Sequence, residues 1–569
     1  MIHEDKDIKR YGNGWLKIVK DIYIVSLKGS DYEMGLQYGS LLKKECENGA
    51  ISFFSKFTEL TIKHSKFGSP LVLRKTALKY LELKFKKPLL KLIKDDEIQF
   101  FMGMSEALGH NKKFTRDNLI LTDFFMSLPA FNFGGKKEFM RLANVLGCTS
   151  FGASPVETKN NHTISGHNKD FAAMEYWDKF QVATFYQPEN GFRYMNLSGA
   201  GIPISSTVSM NEHGLCISGH VIITSDPKFK GVPIFIIGDR IMKHCRDTKS
   251  AVAELSKLNT PTGWKIHIID KKGIHAVVEI TATQNEHYYV KDLSGCANVY
   301  KSGKAKEVEM NINQSMMNNY EARQDRVEEL LDKFSGKITP ETGAKILGDR
   351  FDIFTKTERP VGNVIGQMTN LNSIIFDHTD MKFWVASGRA PVCDNVYRGF
   401  NFECGFTGNF KKLPKDIKGT YNKSKLNRSV RECIYANNSH LLDFDIKKSV
   451  THIANAEKLT PDEVIYPILK GLLMLQLKKY SDALKSFERA IGLKHEPNKA
   501  HVMLLWTART YDLLGNRDKA VRFYRIVSKT DGVFIPIKKA ALKGLKKKYS
   551  SRSLKTLPVD FWLGDTLEY

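Results

Sequence analysis

The stretch GCTSF at residues 147–151, followed by GHNKDF at residues 166–171, carries the strongest signal for fold and chemistry in this chain. In the first stretch Cys148 follows a glycine, and the second ends its polar run at Asp170. A cut between Gly147 and Cys148 would turn the nitrogen of the cysteine into a free α-amine, whose pKa of about 7.7–8.0 lies near neutral pH. Such an amine can act as the general base for the thiol of the same residue. The pattern predicts a nucleophile that is released by cleavage of the chain.

The composition is that of an ordinary soluble globular protein. With 569 residues, 42% hydrophobic and 26% charged, the chain should form two or three domains. The net charge of +24 favours acidic partners, or else reflects a solvated lysine-rich surface. No recognisable nucleic-acid-binding motif accompanies the charge, so a nucleic-acid partner is not expected.

The eight cysteines form no CxxC pair, so neither a zinc site nor a redox motif is indicated. We expect most of them to be buried free thiols, and we expect no metal and no cofactor. The N-terminal residues 1–7 are polar and lack the apolar core of a secretory signal. No stretch reaches the length of a membrane span, so the expected location is cytoplasmic.

The first part of the chain is expected to be a helical segment covering residues 1–147. Apolar residues recur at helical spacing from residue 31 to about residue 130. Gly35 and Gly39 are four residues apart and would share one helix face, which is typical of close packing against a neighbouring element.

Residues 148–400 are predicted to form a core of hairpins with a few helices. Strand-like runs such as 207–210 and 215–218 flank a turn containing Asn211 and Gly214. Helical spacing returns at residues 316–334. Strand runs and helix runs that separate in this way indicate an α+β fold.

The C-terminal part is predicted to contain a polar linker, a repeat and a tail, at residues 401–449, 450–550 and 551–569. Within the repeat, Ala483 and Ala520 occupy equivalent positions 37 residues apart (520 − 483). This spacing is one tetratricopeptide period of 34 plus three loop residues, which predicts an all-α helical-repeat unit. Two visible repeats are few for independent stability, so the unit should pack on the first domain or on flanking helices.

The chain resembles the acyl-coenzyme A:6-aminopenicillanic acid acyltransferase family, peptidase family C45, over about residues 20–400. The motifs that carry the resemblance occur in the family's order. They are YEMG…YG at 32–39, GCTSF at 147–151, GHNKDF at 166–171, SMNEHGL at 209–215, RPVGNV at 359–364 and the hairpin at 372–388. The resemblance implies an N-terminal nucleophile hydrolase with a four-layer αββα fold. It also implies self-cleavage before Cys148, because glycine at position 147 tolerates the strained backbone of an acyl shift.

The resemblance also implies a role for each candidate site residue. Cys148 would be the nucleophile, and Asp170 would hold the freed amine in register. Asn298 would stabilise the oxyanion through its side-chain amide. Arg359 would pin Asp170 or bind a substrate carboxylate, and Thr149 would hydrogen-bond the substrate or the displaced carbonyl.

Three readings of function follow. The first is a cysteine amidohydrolase or acyltransferase that acts on a small acyl-amide or acyl-thioester, with a coenzyme A thioester as one conceivable donor. The second is a lipid amidase that resembles phospholipase B. The third is a catalytically inactive scaffold whose helical repeats bind a protein partner; an intact bond between Gly147 and Cys148 would favour it.

Overall fold

The computed structural model describes residues 3–5, 7–56, 93–109, 147–228, 230–421, 424–566 and 569. The helices predicted between residues 57 and 92 and between residues 110 and 130 lie outside these ranges. The described strands are β1 His3–Asp5, β2 Ile8–Tyr11, β3 Gly14–Val19, β4 Ile22–Gly29, β5 Gly147–Ala153, β6 Ile164–Asp170, β7 Gln181–Pro188, β8 Tyr194–Gly199, β9 Val208–Asn211, β10 Cys216–Ile222, β11 Gly263–Ile269, β12 His275–Ile280, β13 Asn285–Val290, β14 Leu293–Cys296, β15 Phe351–Asp352, β16 Thr357–Glu358, β17 Asn370–Asp377, β18 Lys382–Ala386, β19 Tyr397–Asn401, β20 Val559–Asp560 and β21 Asp565–Thr566.

The helices lie mainly before β5, between the strands of the core and after β19. The described α-helices are α1 Asp31–Leu41, α2 Lys43–Asn48, α3 Gln99–Leu108, α4 Ile234–His244, α5 Thr248–Leu255, α6 Gly303–Val308, α7 Gln314–Phe334, α8 Pro340–Leu347, α9 Cys404–Thr407, α10 Lys425–Leu441, α11 Ile446–Leu459, α12 Ile465–Gln476, α13 Tyr480–Ile491, α14 Lys499–Leu513, α15 Arg517–Lys529 and α16 Ile535–Lys546.

Two large sheets dominate the described part of the chain. An 11-stranded sheet has the order β1-β2-β3-β4-β7-β8-β9-β10-β11-β12-β13, and a six-stranded sheet has the order β14-β5-β6-β17-β18-β19. Every neighbouring pair in them is antiparallel except β4 and β7, which run parallel. The α+β class is confirmed, and so is the hairpin of β9 and β10 that the turn at residues 211–214 predicted.

The first 147 residues are not purely helical, which corrects the expected helical segment. Residues 8–29 form β2, β3 and β4, and β4 joins the large sheet beside β7. The run IYIVSL at residues 22–27 is rich in β-branched side chains, which favour strands. Helical spacing begins only at Asp31, where Ser30 caps α1.

Packing of α1 against α3 explains the two early glycines. A methyl group at Gly35 would stand 1.9 Å from the carbonyl oxygen of Phe100, and one at Gly39 would stand 2.7 Å from the methyl group of Ala107. The two helices therefore approach with almost no side-chain space between them. This confirms the close packing that the spacing of the glycines indicated.

The buried apolar residues form clusters on both faces of the sheets. One cluster joins side chains of the two sheets directly, including Phe185 of β7 and Phe383 of β18. A second joins the large sheet to α1, α3, α4 and α5, and a third joins the six-stranded sheet to α7 and α8. Apolar side chains thus join the sheets to each other and to these helices; the four-layer order stays a prediction.

The expected linker contains helix α10, and the expected tail contains the short strands β20 and β21. Residues 425–441 form α10, because Val430, Cys433 and Ile434 make a buried stripe on a helix whose other face is polar. In the region of the predicted repeat, helix α13 begins at residue 480 and α15 at residue 517, again 37 residues apart (517 − 480). Ala483 and Ala520 are both fully buried. A tetratricopeptide identity for these helices stays a prediction.

All eight cysteines lie within the described residues, and each is buried and free, as expected. Among the helices that the structure describes, none has both the length and the apolar character needed to cross a membrane.

Candidate active site

The pairing of β5 with β6 builds the candidate site. In this antiparallel pair Gly147 lies opposite Asp170, and Cys148 lies opposite Lys169. Paired residues project from the same face of a sheet, so Cys148 and Lys169 share one face while Gly147 and Asp170 share the other. The two short motifs of the sequence therefore meet at one end of the strand pair.

The backbone of Cys148 is held on both sides by side chains from distant elements. Its amide nitrogen donates to Oδ1 of Asn298 at 2.8 Å. Its carbonyl oxygen accepts from Nη1 of Arg323 at 2.7 Å and lies 3.3 Å from Nδ1 of His220. The peptide bond on each side of the candidate nucleophile is thus fixed in orientation.

Asn298 contacts Cys148 through its acceptor oxygen. Oδ1 also accepts from Nη2 of Arg323 at 3.0 Å, while Nδ2 donates to the carbonyl oxygen of Val221 at 2.8 Å. The backbone nitrogen of Cys148 and the guanidinium of Arg323 are donors only, which fixes the orientation of the amide. Asn298 is therefore placed to accept a hydrogen bond from the nitrogen of Cys148. Donation to an oxyanion, the role implied by the resemblance, stays a prediction.

Arg323 is a site residue that the sequence interpretation missed. It lies on α7, is fully buried, and also donates to Oδ1 of Asn319 at 2.9 Å and to Oγ1 of Thr149 at 3.0 Å. The signal was present, because Arg323 falls at helical spacing between the buried Tyr320 and Val327. A cation on the apolar stripe of a helix needs buried acceptors, and here they are the groups around the nucleophile.

Asp170 faces the residue before the candidate nucleophile. Nδ2 of Asn370 donates to Oδ1 of Asp170 at 3.0 Å, whereas Oδ2 has no hydrogen-bond partner among the described residues. A methyl group on Gly147 would lie 3.1 Å from that Oδ2. Burial raises the pKa of Asp170 to about 7, although the charge of Arg323 and the hydrogen bond from Asn370 lower it.

Position 147 requires glycine because there is no room for a side chain. Gly147 is not among the residues with positive φ, so the backbone strain expected there is not observed. A side chain would instead meet Oδ2 of Asp170 and the ring of Trp562. Glycine is the residue that fits this narrow gap.

The thiol of Cys148 is protonated at neutral pH in the uncut chain. Burial and the charge of Asp170 raise its pKa to about 12, while the charges of Lys169 and Arg323 lower it. The thiol proton must therefore be transferred to another group as the sulfur attacks.

Lys169 is a buried cation beside Cys148. Its Nζ has no hydrogen-bond partner among the described residues and lies 5.1 Å from the centre of the Trp177 ring. Burial lowers the pKa of Lys169 to about 8, and the interaction with the thiolate form of Cys148 raises it. The ammonium and the thiol thus influence each other across the strand pair.

A hydrogen-bonded chain of histidines and serines runs between the sheets behind the nucleophile. Ser150 lies 2.8 Å from Nε2 of His220 and 2.9 Å from Nδ1 of His267, and Ser294 joins His267 to His275 at 2.7 Å on each side. Burial lowers the pKa of each of the three histidines. These three histidine side chains are therefore neutral at physiological pH.

Arg359 lies outside this cluster. Its Nη1 donates to Asp352 at 2.6 Å and to Glu496 at 3.3 Å, and its Nε donates to Glu463 at 3.0 Å. Glu463 and Glu496 belong to the C-terminal helical part, so Arg359 joins that part to the sheets. Asp170 is not among its hydrogen-bond partners; its contact with a substrate stays a prediction.

Within the described residues, one group of side chains has the spacing of metal ligands. It consists of His162, Asp377 and Asp380, far along the strand pair from Cys148. His162 already lies 2.8 Å from Asp377, and Asp380 pairs with Lys382 at 2.6 Å. These partners satisfy the group without an ion.

Comparison with known proteins finds one family whose model matches the central part of the chain. Residues 156–390 match the model of the acyl-coenzyme A:6-aminopenicillanic acid acyl-transferase family. The match contains Asp170, Asn298, Arg323 and Arg359 but begins eight residues after Cys148 (156 − 148). A search of curated proteins found no match.

Two solved structures are among those similar to this chain. Penicillin V acylase from Agrobacterium tumefaciens shares 13% identity, with a TM-score of 0.27 over 42% of this chain and 83% of the acylase. A mutant conjugated bile acid hydrolase from Clostridium perfringens shares 14% identity, with a TM-score of 0.32 over 48% of this chain and 97% of the hydrolase. At this level of similarity, function has to be argued from the site itself.

Proposed function

We propose that this protein is an amidohydrolase or acyltransferase whose nucleophile is Cys148, activated by self-cleavage between Gly147 and Cys148. The observation that carries the proposal is the double anchoring of Cys148. Its nitrogen is held by Asn298 and its carbonyl oxygen by Arg323. The family match over residues 156–390 supports the same class of chemistry.

Self-cleavage would begin with attack of the Cys148 sulfur on the carbonyl carbon of Gly147. A carbon–sulfur bond forms, the carbon–nitrogen bond of the peptide breaks, and the thiol proton passes to the departing nitrogen. Water then attacks the thioester, forms a carbon–oxygen bond and expels the sulfur, which takes back a proton. The products are a carboxylate on Gly147 and a free α-amine on Cys148.

Turnover would repeat these steps on an external acyl donor. The α-amine accepts the thiol proton, the sulfur bonds to the acyl carbon, and the leaving amine or thiol takes the proton as its bond to the acyl carbon breaks. Water or an acceptor amine then attacks the thioester and releases the sulfur. Hydrolysis and acyl transfer differ only in this second nucleophile.

Each neighbour of Cys148 has a role in this scheme. Asn298 accepts a hydrogen bond from the α-amine and thereby keeps its lone pair directed at the thiol. Asp170 has an oxygen beside Gly147 with no hydrogen-bond partner among the described residues. Its carboxylate stabilises the positive charge on the nitrogen of Cys148 when that nitrogen takes the thiol proton, both as it leaves the carbonyl of Gly147 in self-cleavage and as the free amine in turnover. Thr149 orients Arg323, which holds the carbonyl of Cys148.

The proposal includes the four-layer αββα architecture for the sheets and their helices, and a tetratricopeptide-like character for the C-terminal helices. The apolar clusters on both faces of each sheet support the first. The 37-residue offset between α13 and α15 supports the second.

Intact mass of purified protein tests the proposal. The wild type should give chains of 147 and 422 residues (569 − 147), and Cys148→Ala should remain whole. Cys433→Ala, which removes a buried thiol within α10, serves as the matched control and should be cut like the wild type. A whole wild-type chain would overturn the self-cleavage mechanism.

A further inference from the structure

The C-terminal segment returns from the helical part to the candidate active site. After α16 the chain forms the short hairpin of β20 and β21, whose connection contains Trp562 and Leu563. Nζ of the buried Lys499, on α14, donates to the carbonyl oxygen of Leu563. Oγ of Ser315, on α7, donates to Asp565 at 2.5 Å. The hairpin is thus fastened to both the helical part and the core.

Trp562 is the residue of this hairpin that reaches Gly147. It is 1% exposed, and its indole nitrogen donates to Oε1 of Gln367. A methyl group replacing one α-hydrogen of Gly147, in the L configuration, would lie 2.9 Å from Cη2 and 3.3 Å from Cζ2 of the indole ring. The same methyl group would lie 3.1 Å from Oδ2 of Asp170. The outer edge of the indole and a carboxylate therefore close the space beside the α-carbon of Gly147.

The same space would hold the acyl part of an external donor if Cys148 acts on one. In self-cleavage the sulfur attacks the carbonyl of Gly147, and in turnover the same sulfur attacks the carbonyl of the donor. Since the attacking atom and the groups that hold Cys148 are the same, the acyl part of the donor must occupy the place that Gly147 occupies before the cut. Its α-carbon then lies where the α-carbon of Gly147 lies.

We infer that Trp562 is a specificity-determining residue that limits the donor to acyl groups without an L-configured side chain on the carbon next to the carbonyl. Glycyl-type and other unbranched acyl groups fit, whereas an α-substituent in the L configuration meets the indole and the carboxylate. The C-terminal helical part thereby holds Trp562 in position beside Gly147. The inference rests on the proposed function, because it requires Cys148 to be acylated.

Acylation of Cys148 by two matched donors tests the inference. The donors are thioesters of N-acetylglycine and N-acetyl-L-alanine with the same thiol, and the readout is the mass added to the chain that begins at Cys148. In the wild type the glycine donor should react roughly 5–150-fold faster, because overpacking by one methyl group costs about 1–3 kcal/mol. In Trp562→Phe, which lacks Cη2 and Cζ2, this ratio should fall severalfold.

Two further variants keep the test decisive. Trp506→Leu removes a fully buried tryptophan of α14, away from Gly147, and should keep the wild-type ratio. Gly147→Ala should cut itself more slowly than the wild type, and the addition of Trp562→Phe should restore part of the rate. This second readout remains if Trp562→Phe acylates too weakly to measure.

The outcomes separate the two proposals. Equal rates for the two donors in the wild type, or an unchanged ratio in Trp562→Phe, would overturn the role of Trp562 and leave the nucleophile in place. Failure of both donors to acylate Cys148 in properly cut protein would overturn the proposed function, and the role of Trp562 with it.

Discussion

The amide nitrogen of Cys148 donates to Oδ1 of Asn298 across 2.8 Å, although the two residues are 150 positions apart in the chain. This nitrogen is the atom that self-cleavage would release as an amine. The acceptor that holds it as an amide is therefore in place to hold it as an amine, and the site needs little rearrangement between the two chemical states.

Replacing Asn298 with leucine should slow self-cleavage. The side chain keeps its approximate size but loses Oδ1, so the nitrogen of Cys148 and Nη2 of Arg323 lose their shared acceptor. An unsatisfied buried donor costs about 1–3 kcal/mol, which corresponds to a rate roughly 5–150-fold lower. The uncut fraction is followed by mass over time. Asn285→Ala, which removes an amide bonded to the distant Leu255 and Leu258, is the control. Normal cutting in Asn298→Leu would remove Asn298 from the mechanism.

Replacing Arg323 with methionine should abolish cutting and destabilise the protein. The change removes the guanidinium that donates to Oδ1 of Asn319 and to the carbonyl of Cys148, and each buried acceptor left without a donor costs about 1–3 kcal/mol. Thermal melting and the uncut fraction give the two readouts. Arg326→Met removes a cation of the same helix that pairs with Asp349 instead, so it should cut normally. A stable and fully cut Arg323→Met would contradict this assignment.

Asp170 should make both cutting and stability depend on pH. Its pKa is about 7 in the folded chain, so the carboxylate needed to stabilise an ammonium is lost as the pH falls through 7, and cutting should slow there. Between pH 4 and 7 the folded chain keeps a proton that the unfolded chain has released, so the free energy of unfolding should decrease as the pH rises.

The variant Asp170→Asn checks both effects. In a Cys148→Ala background, which keeps the chain whole, replacing Asp170 should change the pH dependence of urea unfolding, so that the free energy of unfolding at pH 7 rises relative to that at pH 4.5. With Cys148 present, the cutting rate of Asp170→Asn should be low and should no longer change near pH 7. A pH slope that is the same with and without the replacement would show that Asp170 does not contribute to it.

Lys169 should destabilise the uncut protein at neutral pH. Because its pKa is lowered to about 8, the folded chain binds fewer protons than the unfolded chain between about pH 8 and 10.5, and the free energy of unfolding should rise with pH there. In the Cys148→Ala background, Lys169→Met should remove this rise and add about 1–4 kcal/mol of stability at pH 7. The exposed Lys257→Met is the control. A loss of stability at pH 7 would mean that the ammonium has a counter-ion.

A substitution at Arg359 can distinguish a structural role of this residue from a role in substrate binding. In Arg359→Met the buried carboxylates Asp352, Glu463 and Glu496 lose a shared cation, so the free energy of unfolding should fall by about 3–5 kcal/mol. If the role is purely structural, the acylation rate of the remaining folded protein should depend on donor concentration as in the wild type. A raised concentration for half-maximal rate would instead support the predicted contact with substrate.

The sequence predicted the parts of the site that depend on neighbouring residues. It singled out the two short motifs that contain Cys148 and Asp170, and the pairing of β5 with β6 then brings them together. It predicted the first 147 residues and the linker less well. In these regions lysine and other polar residues are numerous. They obscured the local apolar patterns of strands β2–β4 and of the buried face of α10.

By itself, the sequence determined which residues are strand, helix or turn over most of the core, and it singled out Cys148, because these signals are local. Only the tertiary structure decided that Arg323 holds the carbonyl of Cys148 from 175 residues away and that Trp562 closes the space beside Gly147. Periodicity shows which face of a helix is buried but not which distant element covers it. That choice depends on the shape and polarity of surfaces that exist only once the chain has folded.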